Sequence, residues 1–435
     1  MFNFLQLSTL VPRKNSSNSK RVYLDNAGAT NMSARAKRAL VLAIDTYGNP
    51  SAIYKEGDVA KKELDNVRKK MGDLINARKH EVYFTGTGTE SCNLAIFGVY
   101  LAWKKENEHS TKLPHIIISS IEHPAVMEVV NYLSINSLAN VTYLPVYDSG
   151  IVKVQDIRNA ITDETVLVSV MYANNEIGTI QPIKEIGRMI EEVKKLKVES
   201  RKLENSLCEF SSTEKPSNRK TDQLIYPLFH TDACQAGNYL NLDVFRLKVD
   251  MMTINASKLY GPKGIALLYK KEGVKIEPII LGGGQERNIR SGTESLLLAS
   301  SFAESLKESI ELREIESERL TQLRNKFKEK LSEELPQITF YGDFENRLPN
   351  NINCRIPGIK SDEMILRLDN RGFSVSHKSA CASSVDDSSY VIKALGAIDE
   401  EAKENIRITL GRETKWEDLE RLIVSIKEIV EKFAK

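Results

Sequence analysis

Three short stretches of the 435-residue chain set reactive side chains where chemistry could use them. In Asn255-Ala256-Ser257-Lys258-Leu259-Tyr260-Gly261-Pro262-Lys263-Gly264 a lysine follows a core strand and precedes a Gly/Pro turn. Desolvation there lowers the pKa of an ammonium and prepares the amine for Schiff-base formation, whereas a solvated strand end asks nothing of it. In His230-Thr231-Asp232-Ala233-Cys234-Gln235 an apolar run closes on a carboxylate at the carboxyl end of a parallel strand, where α/β sheets bind ligands. An acid so placed can pair with a protonated pyridine nitrogen, or simply cap the segment that follows. The third stretch, Thr85-Gly86-Thr87-Gly88-Thr89-Glu90-Ser91, lies between a strand and a helix. Its small residues expose N–H groups and hydroxyls as a phosphate cradle. Such turns are common, so its meaning comes from the other two.

A fourth stretch surrounds a possible nucleophile. Ser376-His377-Lys378-Ser379-Ala380-Cys381-Ala382-Ser383-Ser384, followed by Ser389-Tyr390-Val391-Ile392, gives Cys381 small and polar neighbours, which predicts a partly exposed loop. A structural cysteine would sit among apolar residues, while Lys378 and His377 favour the thiolate that chemistry needs.

In order and spacing, the first three stretches resemble the fold-type-I pyridoxal-phosphate enzymes of the class V aminotransferase group. Further matches are Tyr23-Leu24-Asp25-Asn26-Ala27, Gly48-Asn49-Pro50-Ser51, Glu122-His123-Pro124-Ala125-Val126, Asn174-Asn175-Glu176-Ile177-Gly178, and Gly282-Gly283-Gly284-Gln285-Glu286-Arg287 with Arg290-Ser291-Gly292-Thr293-Glu294. Together with the Cys381 segment they resemble the NifS-like cysteine desulfurases, in the branch with a long cysteine loop. The resemblance implies that Lys258 carries pyridoxal 5'-phosphate covalently and then shuttles a proton at the substrate α-carbon. It implies that His123 stacks on the ring and assists proton transfer, although a lone histidine is often only a structural hydrogen-bonder. Asp232 would hold the ring nitrogen, and Gln235 and Asn175 would lie near the phenolate oxygen. Gly88, Thr89, Asn255 and Ser257 would bind phosphate, joined by Thr293 from a second subunit of a homodimer. Arg407, with Asn175 beside it, would take the substrate carboxylate. L-cysteine would be the substrate and Cys381 the residue that takes its sulfur as a persulfide, for delivery to an iron–sulfur scaffold or a tRNA-thiolation enzyme. The other cysteines would be packing residues, with Cys234 near the cofactor.

The chain departs from the family in two places. Asn255-Ala256-Ser257 stands where Ser-Gly-His usually precedes the lysine, and His377-Lys378 stands where Ser-Gly is common. Asn255 and Ser257 still offer hydrogen bonds, but the histidine's possible positive charge is lost. Rival readings are a selenocysteine lyase or class V aminotransferase with the same cofactor site, neither of which demands a loop thiol, and a non-catalytic scaffold, against which Lys258, Asp232 and Arg407 speak.

The elements that must position these groups read as an α/β fold. Short β-branched runs at 82–84, 115–119, 141–146, 165–172, 224–229, 251–254 and 265–269 alternate with helical patterns such as 91–104 and 183–197, which predicts βαβ units and a mostly parallel sheet. After about residue 295 the pattern changes to a long charged helix ending near 334, short strands at 338–341 and 351–356, and an amphipathic helix from Trp416. The expected organisation is a large cofactor domain at 31–295 and a smaller α+β domain made of 21–30 and 296–435 with the Cys381 loop. Residues 199–222, rich in Lys, Glu, Ser and Asn, read as a solvated insertion.

Composition narrows the partners. Lys and Arg number 61 against 59 Asp and Glu, so no excess of charge points to nucleic acid or to an anionic membrane. Five cysteines without C-x-x-C spacing argue against a disulfide framework and a structural zinc site, which fits a reducing, cytoplasmic setting. No apolar run is long enough to span a membrane. Residues 1–20 are basic and contain serines, but lack the repeated arginine face of a transit peptide and read as a tail.

Overall fold

The computed structural model describes residues 21–211, 225–378 and 388–433, with the side chains of 201 and 203–211 left aside. The predicted tail at 1–20 and the Cys381 stretch at 379–387 lie outside the described residues, as do 212–224. The strands are β1 (Val22–Tyr23), β2 (Val82–Thr85), β3 (His115–Ser119), β4 (Asn140–Leu144), β5 (Thr165–Ser169), β6 (Leu228–Asp232), β7 (Met251–Asn255), β8 (Ala266–Lys270), β9 (Thr339–Phe340), β10 (Asn351–Arg355), β11 (Phe373–Ser374) and β12 (Asn405–Thr409). The helices are α1 (Ala34–Leu42), α2 (Lys55–Ile75), α3 (Gly88–Glu106), α4 (Pro124–Ile135), α5 (Val154–Ala160), α6 (Ile183–Ser211), α7 (Val244–Leu247), α8 (Gln285–Asn288), α9 (Leu296–Glu334), α10 (Ser361–Asn370), α11 (Tyr390–Ala394), α12 (Asp399–Ala402) and α13 (Trp416–Phe433).

Continuous apolar runs such as Ile116-Ile117-Ile118 are buried throughout, as strands covered on both faces require. They build a sheet in the order β2-β8-β7-β6-β5-β3-β4, parallel except that β8 runs against both of its neighbours. The parallel strands therefore all point their carboxyl ends to one edge, and every predicted site residue of this region leaves from that edge. A second sheet, β12-β10-β9, is antiparallel, and β1 pairs parallel with β11. The apolar face of α13 (Leu419, Leu422, Ile423, Ile426, Ile429, Val430), spaced by three and four residues, closes a core that also takes in Val22, Leu24 and the second half of α9. The first half of α9, through Ala299, Phe302 and Leu306, packs instead on the core of the main sheet.

The predicted boundaries of five elements need correction. α3 starts at Gly88 rather than at 91, because Thr87 caps it by accepting from Glu90 N at 3.0 Å, so the proposed phosphate turn includes the first turn of a helix. β6 runs over Leu228–Asp232 rather than 224–229, since Pro227 has no N–H to give a ladder. β4 and β5 stop at Leu144 and Ser169, earlier than their apolar runs suggest. α6 continues to Ser211, so the first part of the expected 199–222 insertion is helix, as its Glu, Lys, Leu and Arg content permits.

Candidate active site

The carboxyl ends of β2, β3, β5, β6 and β7 converge on one cavity lined by Gly88, Thr89, His123, Asn175, Asp232, Gln235, Asn255, Lys258 and Arg407, with Ala27, Gly28 and Cys234 among its other walls. Nine predicted residues, separated by up to several hundred positions in sequence, are thus brought together. Ser257 is part of the same turn as Lys258, and Thr293 is elsewhere, lining a neighbouring cleft with Gly86, Arg290 and Ser295.

Lys258 ends a short 3-10 turn, Ala256–Lys258, that begins as β7 finishes. Asn255 caps it: its Oδ1 accepts from Ser257 N and from Ser257 Oγ, both at 3.2 Å. The amide orientation follows, because the oxygen must face those donors and the Nδ2 is turned toward α3, 3.2 Å from where a Cβ on Gly88 would lie. The Lys258 carbonyl accepts from Asn238 Nδ2 at 2.7 Å, and its amine donates to the Gly28 carbonyl. The segment 26–30 is pinned beside it by Thr30, whose N–H and hydroxyl both reach the Ser257 carbonyl, at 2.9 and 3.0 Å.

Asp232, buried at the end of β6, does two jobs at once. Its Oδ1 accepts from Cys234 N at 2.9 Å, the capping role open from sequence, while the residue also forms part of the cavity wall. The Cys92 and Cys234 thiols approach the same carboxylate, and burial foremost, then Asp232 itself, pushes both thiols well above their ordinary range. They remain thiols, in keeping with a packing role, although Cys234 is also part of the cavity wall. Beneath them His230 is held between Ser169 Oγ at 2.8 Å and Thr253 Oγ1 at 3.1 Å, and burial lowers its pKa to about 4.

His123 is the N-cap of α4, with Pro124 in the first turn, and its Nδ1 accepts from Ala125 N at 3.1 Å. Burial lowers its pKa, with Lys258 and Arg407 pushing the same way and Asp232 pulling upward. The ring is therefore neutral, with its proton on Nε2. Gln235 is fixed by donation to the Ala27 carbonyl at 3.0 Å. Arg407, whose side chain is only 1% exposed, donates from Nη2 to Asp25 Oδ1 at 2.7 Å and from Nη1 to the Asn175 carbonyl at 3.1 Å; its buried Nε has no hydrogen-bond partner among the described residues.

Residues with no assigned role in the sequence reading also shape the site. Asp25 orients Arg407, and Glu122, next to His123, ties two strand ends together: its Oε1 accepts from Ser119 Oγ at 2.5 Å and from Met171 N at 2.8 Å. Both stood inside quoted motifs, yet nothing local marks a carboxylate as a tether when its partner is remote in sequence.

The cavity fits a phosphorylated pyridine aldehyde. The amino end of α3 offers backbone N–H groups and its positive dipole end to a phosphate, and a Cβ on Gly88 would fill that cradle, meeting Cys234 Sγ at 3.1 Å. Lys258 supplies the amine, Asp232 an acceptor for a ring N–H, and Arg407 a guanidinium in the cavity wall for a carboxylate.

The fold and this donor set define an enzyme of the class V aminotransferase type, and comparison with known proteins agrees. The sequence profile described as Aminotransferase class-V matches residues 22–198 and 224–422. A curated relative from Clostridium botulinum, "Cysteine desulfurase IscS", is 36% identical over 414 residues, 94% of each chain. A solved structure titled "NIFS-LIKE PROTEIN" superposes with a TM-score of 0.80 at 28% identity, covering 95% of this chain and 100% of its own. Another, "SspA in complex with cysteine", gives 0.69 at 28% identity over 89% and 98%. The chain belongs to the class V aminotransferase family and, within it, to the NifS-like cysteine desulfurases.

Proposed function

We propose that the chain removes sulfur from L-cysteine, leaving alanine and a persulfide on Cys381 that is passed to a sulfur acceptor. The observation that carries this is the convergence of Lys258, Asp232, His123 and Arg407 on one cavity at the amino end of α3. Pyridoxal phosphate, when bound, supplies an electrophilic carbon for amines and an electron sink for a carbanion. Lys258 would attach it and, once displaced by the substrate amine, hold or deliver a proton at the α-carbon. Asp232 would keep the ring nitrogen protonated. His123, neutral and braced by Ala125, would cover the ring face. Gly88, Thr89, Asn255 and Ser257 would hold the phosphate, with Thr293 supplied by a second copy in a homodimer. Arg407, steadied by Asp25, would take the substrate carboxylate, with Asn175 alongside, and Gln235 would sit near the phenolate oxygen.

Cys381 would then act as the sulfur nucleophile. Its thiolate attacks the substrate Sγ, a sulfur–sulfur bond forms, the Cβ–Sγ bond breaks with its electron pair on carbon, and a proton added there completes alanine. The acceptor would be a protein such as an iron–sulfur scaffold or a tRNA-thiolation enzyme, and the compartment reducing and cytoplasmic. No described helix is long and apolar enough to cross a membrane. We read 31–295 as the cofactor domain and 21–30 with 296–435 as a smaller one, bridged by α9. The test is Cys381→Ala, which should keep the visible absorbance of bound cofactor and its change on adding L-cysteine, yet yield little alanine and no protein persulfide. Undiminished alanine production would instead leave a lyase that needs no protein thiol.

A further inference from the structure

Both ends of the stretch that contains Cys381 are tied to residues of the cavity or to their immediate neighbours. Upstream, Ser376 and Arg407 bridge through their backbones, Arg407 N donating to Ser376 O at 2.6 Å and Ser376 N to Arg407 O at 3.1 Å. Downstream, the Ser389 hydroxyl donates to Glu176 Oε2 at 2.5 Å, and the Tyr390 hydroxyl donates to the Glu122 carbonyl. Glu176 adjoins Asn175 and Glu122 adjoins His123; both carboxyl residues are buried, in the segments that follow β5 and β3. Ser389 also caps α11, accepting from Ile392 N at 3.2 Å.

A cap alone would need no buried carboxylate, and packing of the Tyr390 ring would need no hydroxyl aimed at a carbonyl 268 positions away in sequence. We propose that Ser389 and Tyr390 are positioning residues for the sulfur-transfer step: they fix where the chain re-enters the fold after Cys381, tying it to the loops that present His123 and Asn175. The inference rests on Cys381 being the sulfur nucleophile. Fixing both ends restricts the volume that a thiol between them can sample, which raises its effective concentration at the substrate sulfur. Loss of either downstream tie should therefore slow sulfur transfer while sparing the steps at the α-carbon.

The test uses holoenzyme of wild type, Tyr390→Phe, Ser389→Ala and Ser389→Thr. Cofactor content, the spectral change on adding L-cysteine and the single-turnover rate of Cys381 persulfide formation are measured for each. Tyr390→Phe and Ser389→Ala are expected to bind cofactor and L-cysteine as wild type does, with an unchanged KM, and to form persulfide about tenfold more slowly or worse. Ser389→Thr, which keeps the hydroxyl, should restore the rate. Persulfide formation within about twofold of wild type in both variants, or a loss of cofactor binding that parallels the loss of rate, would overturn the positioning role. A wild-type enzyme that forms no persulfide on Cys381 would overturn the functional reading and this inference together, whereas normal wild-type persulfide with unimpaired variants overturns the inference alone.

Discussion

Lys258 owes its usefulness to neighbours both local and remote in sequence. Asn255 and Ser257 set its turn, Asn238 and Gly28 hold its two ends, and the strand before it ends at the ligand-binding edge of the sheet. Lys258→Ala should fold and still take up cofactor non-covalently, lose turnover by about a thousandfold or more, and show no lysine labelled by borohydride reduction. A reduced adduct at another lysine would reassign the attachment point. Lys258, Asp232, His123 and the α3 cradle were legible because each is a reactive or small residue at the end of an apolar run, a pattern carried in a few adjacent letters. Asp25, Glu122 and Glu176 were not: Arg407 and Asp25 lie 382 positions apart, and Ser389 and Glu176 lie 213 apart. Only the folded sheet makes such pairs, so no spacing rule in the chain announces them.

At the scale of elements, two junctions shape the proposed phosphate site and the cleft beside it. The first is the α3 amino end, where Gly88 leaves the cradle open. Gly88→Ala adds a Cβ about as close to Cys234 and Asn255 as such contacts come, in a helix that otherwise favours alanine over glycine by up to about 1 kcal/mol. The expected outcome is undiminished thermal stability of the apoprotein with cofactor affinity weakened about tenfold, near 1.4 kcal/mol, read by equilibrium dialysis. The second is the loop after β8. Glu286, in left-handed backbone at φ 45°, takes Arg68 through both carboxylate oxygens, at 2.6 and 2.8 Å, and accepts from Phe84 N at 3.2 Å. That buried pair fastens the stretch leading to Thr293 onto β2. Glu286→Gln removes the charge that balances the buried Arg68 guanidinium, leaving it the Val82 carbonyl and an amide oxygen, and should cost about 3–5 kcal/mol in denaturant unfolding, far above the cost of breaking an exposed pair such as Lys62 with Asp58. Gly282-Gly283-Gly284-Gln285-Glu286-Arg287 is legible as a family match, but the strand end that Glu286 fastens to lies some two hundred positions upstream.

For the molecule as a whole, buried ionisable groups under the cavity couple stability to pH in opposite senses. His230, with its pKa lowered to about 4 by burial, binds its proton more readily in the unfolded chain. Its contribution is complete above the ordinary imidazole pKa near 6.5 and is lost as pH falls toward 4. Glu122 behaves the other way. Burial raises its pKa from 4.5 to about 8, with Asp232 adding to the rise and the bonds from Ser119 and Met171 opposing it. Between those two values the folded chain holds a proton that the unfolded chain has given up, so this residue's contribution falls as pH rises and levels off above about 8. Glu122→Gln keeps a neutral group of the same shape: its oxygen can still accept from Ser119 and Met171, and its NH2 takes the position of Oε2, which has no hydrogen-bond partner among the described residues. Denaturant unfolding of the cofactor-saturated proteins from pH 4.5 to 9 should therefore show the variant gaining on wild type as pH rises through this window, by a few kcal/mol at its upper end. A difference between the two proteins that does not change with pH would mean that Glu122 is ionised in the folded state. The tie between β3 and β5 would then be held by a carboxylate charge, and the same substitution should instead weaken it at every pH above the ordinary carboxylate range.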